Sequence, residues 1–289
     1  MTQNNKITVF GATGKVGAAL LQLLSEAGVA TVAVTRNKSK ARDMPNVEWL
    51  AADMEDKQSL HDTMRHSAAV FLASSPGQGF VTGQSNVIDV AVACGVDHIV
   101  KLSSAGVAKD SPFFLTKAHY EVEELLKASG MSWTILRPNA FMQNWLGELA
   151  TTIKAERRIY QATGDGKKPF IDVRDIAAVA YTTLTAPAAH NGQTYLLTGG
   201  EAISYSRVAE AISKVIGEEI AYIPLSQEEA RIRMEQQGMP VWGIQTFLSI
   251  AEAQRMGKAE FVNDAVHRIL NRQPITVEEF AADNADSFR

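Results

Sequence analysis

Three glycines, each separated from the next by two residues, lie in the stretch Val-Phe-Gly-Ala-Thr-Gly-Lys-Val-Gly at residues 9–17. An apolar run precedes them, and residues with helical periodicity follow. Glycines at this spacing allow a tight turn, leave the backbone open to a phosphate and let the following helix pack closely. The start of that helix adds unpaired N–H groups. The stretch therefore predicts a site for the pyrophosphate of a dinucleotide, with a glycine-rich turn that binds nothing as the alternative. The predicted contacts are Gly11, Thr13, Gly14, Lys15, Val16 and Gly17.

The residues that follow the second predicted strand, at 30–35, bear on which dinucleotide is bound. A site for NAD usually has Asp or Glu there, bonded to the ribose hydroxyls. This chain has Arg36 instead, followed by Asn37 and Lys38. A guanidinium can form paired hydrogen bonds with a 2′-phosphate and stack on adenine. We therefore expect the cofactor NADP(H); a solvated basic loop is the alternative.

Acid–base catalysis of the kind common in short-chain dehydrogenases needs Tyr-x-x-x-Lys on the helix after the fifth strand. The two side chains then share one helix face, and the lysine lowers the pKa of the tyrosine. In the corresponding stretch, 115–123, His119 occupies the lysine position and Leu115 the tyrosine position. The usual Tyr/Lys chemistry is therefore not expected, and neither is sugar-nucleotide epimerisation, which would need the tyrosine.

The chain resembles the NmrA-like group of atypical short-chain dehydrogenases/reductases, and within it the bacterial quinone and triphenylmethane dye reductases. The resemblance rests on the glycine stretch at 11–17, on Thr35-Arg36-Asn37, on His119-x-x-x-Glu123 and on residues 136–139. The group includes reductases as well as proteins that bind NAD(P) to report redox state. The resemblance implies an NAD(P) cofactor. It favours an NADPH-dependent reductase that transfers hydride to a conjugated small-molecule acceptor such as a quinone, with a non-catalytic NADP(H) sensor as the alternative.

For His119, three roles remain open: a hydrogen bond to a cofactor ribose, a hydrogen bond or proton given to the reduced acceptor, and no role. It is the one predicted catalytic residue. Phe141 and Trp242 are predicted to contact a flat acceptor, although aromatic residues at helical spacing are more often part of the core.

Strand and helix patterns alternate over the first 140 residues, with strands predicted at 30–35, 47–51, 69–73, 98–102 and 133–136. Such alternation predicts an α/β fold, a Rossmann-type doubly wound parallel sheet. We expect an NAD(P)-binding domain over 1–155. Residues 156–289 are expected to complete the sheet and form a smaller, mainly helical C-terminal lobe for the substrate.

Ligands of such sheets lie beyond the carboxyl ends of the strands. The further cofactor contacts predicted there are Asp53, Met54, Ser74, Ser103, His119, Pro138 and Asn139.

Composition limits the other classes. The chain has 289 residues, a net charge of −4 and one cysteine. We therefore expect neither nucleic-acid binding nor a disulfide framework. The histidines have no metal-ligand spacing, so no metal is expected. No signal peptide and no membrane-spanning run is recognised, which favours a cytoplasmic protein, as a monomer or homodimer, whose partner is a small molecule.

Overall fold

The structure, a computed structural model, describes residues 5–289. The N-terminal residues of the signal-peptide prediction lie partly outside this range. The strands are β1 (Lys6–Val9), β2 (Thr31–Thr35), β3 (Val47–Ala51), β4 (Ser67–Leu72), β5 (His98–Leu102), β6 (Ser132–Pro138), β7 (Arg158–Gln161), β8 (Gln193–Leu197) and β9 (Ala221–Pro224). The α-helices are α1 (Lys15–Glu26), α2 (Lys57–Met64), α3 (Phe80–Cys94), α4 (Phe114–Ala128), α5 (Glu148–Glu156), α6 (Val173–Thr185), α7 (Pro187–His190), α8 (Tyr205–Ile216), α9 (Gln227–Gln236), α10 (Val241–Arg255), α11 (Ala265–Leu270) and α12 (Val277–Asp283).

The chain divides into two compact units and crosses between them several times. Unit 1 contains the chain up to Pro138 together with Val173–Leu197 and Arg268–Asn271. Unit 2 contains Asn139–Asp172, Thr198–His267 and Arg272–Arg289. The first change of unit therefore falls at Pro138, before the predicted boundary at residue 155. That boundary, as a division between cofactor and substrate functions, stays a prediction.

Unit 1 is built on a seven-stranded parallel sheet with the strand order β3-β2-β1-β4-β5-β6-β8. The predicted Rossmann-type α/β fold is confirmed. The central strands are buried on both faces, as expected for apolar, β-branched runs covered by helices on either side. Because every pair is parallel, the carboxyl ends of the strands meet at one edge, where the loops after β1, β2, β3, β4 and β5 come together.

Helix α3 of unit 1 begins earlier than the helical periodicity of residues 86–93 predicts. Helix α3 starts at Phe80, although the periodic pattern begins only at residue 86. Its first turns contain Gly83, where an added Cβ would lie 3.0 Å from the Cβ of Met54. Close packing against the loop after β3 therefore holds glycine in a helix, against its low intrinsic propensity.

Unit 2 combines helices with a two-stranded parallel sheet, β7 and β9, which sequence analysis did not predict. The apolar spacing of residues 139–156 predicts a single helix, and this prediction is wrong in its first half. A 3₁₀ helix covers Met142–Leu146, Gly147 interrupts with φ −96° and ψ −118°, and α5 begins only at Glu148. Ser226 with Glu229 and Thr276 with Glu279 predict capping boxes, and both are present, at the starts of α9 and α12.

Candidate functional site

The turn between β1 and α1 requires glycine at two of its three glycine positions. Gly11 has φ +73°, a region that side chains disfavour, and an added Cβ would lie 2.8 Å from the carbonyl oxygen of Ala73. At Gly17 an added Cβ would lie 2.2 Å from the carbonyl oxygen of Gly11. The first turn of α1 therefore packs directly on the turn that precedes it. Gly14 stands at the helix start, and its N–H donates to that same Gly11 oxygen at 2.9 Å.

The start of α1 is left open to a ligand. Gly14 occupies the cap position and offers no side chain to accept from the first N–H groups, and the first turn has no acidic residue. Thr13, Gly14 and Lys15 are exposed. A helix start with uncapped N–H groups and a partial positive charge suits a phosphate. The residues present therefore fit the pyrophosphate of a dinucleotide.

A cavity of about 480 Å³ lies at the carboxyl edge of the sheet in unit 1. Six of the predicted cofactor residues line it: Gly11, Thr13, Arg36, Asp53, Met54 and Ser74. Sequence analysis missed the loop Ser75–Gly79, which also lines it. The run Ser-Ser-Pro-Gly-Gln-Gly was the available signal, because Pro and Gly mark a loop directly after a strand.

The cavity wall after β2 is basic. Arg36 and Lys40 both line it and both are exposed. Neither makes an ion pair within residues 5–289. Between them, the Asn37 side chain accepts the N–H of Ser39 at 2.9 Å and so shapes the loop. Asp53, two residues after β3, accepts the N–H of Glu55 at 3.0 Å. Free cations at the end of β2 are the arrangement that a 2′-phosphate requires.

His119 belongs to a buried pair that the sequence did not reveal. Its Nδ1 lies 3.2 Å from the Nζ of Lys101, a fully buried lysine on β5. Burial lowers the pKa of Lys101 to about 7, although the Glu123 carboxylate acts in the opposite direction. Burial, with the Lys101 charge as the second cause, lowers the pKa of His119 to about 3. His119 is therefore neutral at physiological pH.

The tautomer of His119 follows from its partner. When Lys101 is charged it has only N–H groups to offer, so Nδ1 of His119 then accepts and the proton of the imidazole lies on Nε2. The ring packs edge-on against Phe80, with centroids 4.8 Å apart. This arrangement leaves a neutral Nε2–H as a hydrogen-bond donor.

Ser103 and Glu123 form a second buried network in unit 1. The Ser103 hydroxyl donates to the Glu123 carboxylate at 2.5 Å. The Arg137 guanidinium donates to both oxygens of that carboxylate, which raises the pKa of Arg137. Ser103 is thus engaged within the protein. The N–H of Ala105 donates to the carbonyl of Pro138 at 2.9 Å, so the backbone around these residues is also held.

The remaining predicted site residues belong to unit 2. Asn139 accepts the N–H of Ala140 with its own side chain at 2.8 Å. Phe141 lines a second cavity, of about 240 Å³, within this unit. Trp242 does not line it: 68% of its surface is exposed, at the start of α10. Instead, Trp145 and Phe247 lie in the cavity wall.

The sheet order and the glycine turn define a Rossmann-type α/β protein. The chain belongs to the NmrA-like family, whose model matches residues 3–281. The resemblance predicted from the sequence is thereby confirmed.

Known proteins of this kind match nearly the whole chain. The NAD(P)H azoreductase of Xenophilus azovorans is 33% identical over 98% of this chain and 99% of that protein. The structure of an NADPH-dependent quinone oxidoreductase from Escherichia coli, complexed with NADPH, covers 96% of this chain and 99% of its own, with 25% identity and a TM-score of 0.85. Triphenylmethane reductase of Citrobacter sp., complexed with NADP(H), has the same fold, with 23% identity, the same 96% and 99% coverage and a TM-score of 0.84.

Neither a membrane span nor a metal site is evident in the part of the chain that the structure describes. None of its helices has the length and apolar character needed to cross a bilayer. Its His, Cys, Asp and Glu side chains form no group of three that could hold a metal ion.

Proposed function

We propose that the chain is an NADPH-dependent reductase of conjugated small-molecule acceptors such as quinones. The observation that carries this proposal is the open start of α1, directly after Gly11 and Thr13 in the wall of a cavity that is basic after β2. The azoreductase and the quinone reductase to which the chain is similar are named for reductions that use NAD(P)H or NADPH. The small molecule is the proposed partner, and a cytoplasmic monomer or homodimer is the proposed setting.

The residues of unit 1 would bind the cofactor in a defined orientation. The N–H groups at the start of α1 would donate to the pyrophosphate, and Arg36 with Lys40 would bind the 2′-phosphate. Asp53, Met54 and Ser74 would contact the adenosine part from the neighbouring loops. The bound cofactor supplies a hydride, and the protein supplies orientation and exclusion of water.

The proposed role of His119 is that of a neutral hydrogen-bond donor. Its lowered pKa means that it carries no extra proton to give at neutral pH. A donor of this kind can stabilise negative charge on an oxygen, or bind a ribose hydroxyl. Quinones, azo compounds and dye cations accept a hydride into a conjugated system, and the resulting oxygen or nitrogen can be protonated by solvent. A strong acid is therefore not required.

A second candidate function is a non-catalytic NADP(H) sensor. The missing Tyr/Lys pair permits it, since Leu115 occupies the position of the usual tyrosine and His119 is neutral. A protein that only reports cofactor binding would need neither a proton donor nor an acceptor site.

Turnover separates the two functions. The purified protein is mixed with NADPH and a panel of quinones, azo dyes and triphenylmethane dyes, and nicotinamide absorbance is followed. The reductase predicts NADPH consumption that depends on one class of acceptor. Tight NADPH binding without consumption on any acceptor would favour the sensor.

Substitution of His119 separates its two proposed roles. If His119 donates to the acceptor, His119→Ala lowers turnover while NADPH affinity is kept. If it binds the ribose, NADPH affinity falls. His119→Gln, whose amide can still donate, is the matched control and should recover part of whichever property is lost.

A further inference from the structure

The second cavity, within unit 2, has a wall that is mostly aromatic and apolar. Phe141, Trp145, Phe170, Tyr205 and Phe247 contribute rings to its lining. Trp145 and Phe170 pack edge-on with ring centroids 5.0 Å apart, and Phe170 contacts Tyr205 in the same way at 5.5 Å. Rings held by one another form rigid surfaces, and such surfaces suit a flat aromatic ligand.

One cation lies in this aromatic lining. Lys168 is half-buried and lines the cavity. Its backbone is fixed on both sides, because its N–H donates to Ile203 at 3.0 Å and its carbonyl accepts from Ile203 at 3.0 Å. The turn residues of 164–169 predict a surface loop, but the loop is partly buried. Gly166 packs against the backbone of Gln254, and a Cβ added at Gly166 would lie 2.2 Å from the Gln254 carbonyl oxygen. The ammonium is therefore brought to the cavity by a well-held segment.

The ammonium of Lys168 has no carboxylate partner within residues 5–289. Burial is the cause that lowers its pKa, and no opposing charge raises it. The one acidic residue in the lining, Glu148, is exposed and already bonded to Arg233 at 3.3 Å and to Gln237 at 2.6 Å. Partial burial of an ammonium without a partner costs hydration free energy, so a bound anion would stabilise the charged form of Lys168.

The other polar groups of the lining are partly engaged within the protein. The Gln254 amide donates to the carbonyl of Gly166 at 3.0 Å, and the Thr163 hydroxyl lies 3.4 Å from that of Tyr222. Lys168 is thus the cation through which this cavity can recognise an anionic ligand. The volume of about 240 Å³ is below that of most drug-sized sites, which favours a ligand of one or two fused rings.

We propose that this cavity binds flat aromatic acceptors that carry an anionic substituent, a carboxylate or sulfonate, and that Lys168 selects them through that substituent. That the bound ligand is an acceptor of hydride rests on the proposed reductase function. The binding itself stands on the geometry of unit 2 alone, so it can be tested without turnover.

The test uses two non-reducible ligands of almost equal shape, naphthalene-2-sulfonate and the uncharged naphthalene-2-sulfonamide. Their affinities for the full chain are measured by calorimetry in the absence of NADPH. The parent protein should bind the sulfonate more tightly than the sulfonamide. Lys168→Met should weaken sulfonate binding at least tenfold and leave sulfonamide binding within about twofold. Lys168→Arg should keep the preference for the anion.

The neighbouring Lys167 gives a matched control, because it is exposed and outside the cavity lining. Lys167→Met should leave both affinities within about twofold. The proposal is overturned if the parent protein shows no preference for the sulfonate, if Lys168→Met leaves that preference intact, or if Lys167→Met removes it equally. Where Lys168→Met does not fold, Lys168→Gln is measured instead. Failure of turnover with every acceptor, while the sulfonate preference persists, would reject the reductase and leave the binding site in place.

Discussion

Replacement of Gly17 by alanine tests the glycine turn most sharply. The added Cβ would lie 2.2 Å from the carbonyl oxygen of Gly11, 2.8 Å from its carbonyl carbon and 3.0 Å from the Cα of Ala12. Ordinary contact begins at 3.4 Å, so α1 and the turn must separate by roughly 1 Å. All three contacts are to backbone, which cannot move aside as a flexible side chain would.

Two consequences follow from this displacement. Overpacking of this kind costs about 1–3 kcal/mol of folding free energy. Misplacing the helix N–H groups also weakens charge-assisted hydrogen bonds to the pyrophosphate, each worth about 1.5–3 kcal/mol, so the NADPH dissociation constant should rise about ten- to hundredfold.

The assay compares Gly17→Ala with Gly200→Ala by urea unfolding and by NADPH calorimetry. Gly200 lies in unit 2, and an added Cβ there would meet Pro274 at an ordinary 3.7 Å. Gly200→Ala should therefore change neither property appreciably. Parent-like NADPH affinity in Gly17→Ala would refute the assignment of this turn to the pyrophosphate.

Three further outcomes are expected. Arg36→Ala should raise the NADPH dissociation constant about ten- to hundredfold and leave that of NADH unchanged, whereas Lys38→Ala, outside the cavity lining, should alter neither; calorimetry decides. Burial lowers the pKa of His98 to about 4 and that of His119 to about 3. As the pH falls below 6.5, these two histidines therefore take up protons in the unfolded chain but stay neutral in the folded chain. The free energy of unfolding, measured with urea, should thus fall by about 2 kcal/mol per histidine between pH 7 and pH 5. In His98→Asn roughly half of this combined loss should be absent. A free energy of unfolding that does not change with pH would contradict the burial of neutral histidines. Lys101→Met removes the charge beside His119, so the pKa of His119 should rise while remaining below 6.5, as followed by NMR titration; an unchanged value would mean that the pair is not formed.

The parts of the fold that sequence predicts are those with local signals. Strands β3 and β5 are mainly apolar runs that end at turn or loop residues, so both are predicted with their observed bounds. Strands β7 and β9 are short, half-buried and mixed in character, and they pair across more than fifty residues, so no local pattern reports them. The break at Gly147 was missed because the apolar spacing of Trp145 and Leu149 continues across it.

The residues of the candidate site likewise fall into those with a local sequence signal and those without one. The glycine turn and Arg36 could be predicted because each directly follows a strand that neighbouring residues reveal. Lys101 was missed because a lysine in Ile-Val-Lys-Leu gives no sign that it is buried or that it meets His119 on a helix eighteen positions later. Lys168 follows a Gly-Asp-Gly turn, which normally lies at the surface; only the packing of Gly166 against α10 brings it to a cavity.

The most direct test of the central claim is calorimetric titration of the unmodified protein with NADPH and with NADH under identical conditions. NADPH should bind at least about tenfold more tightly than NADH, because only NADPH carries the phosphate that Arg36 would bind. Equal affinities, tighter binding of NADH, or no binding of either cofactor would contradict it.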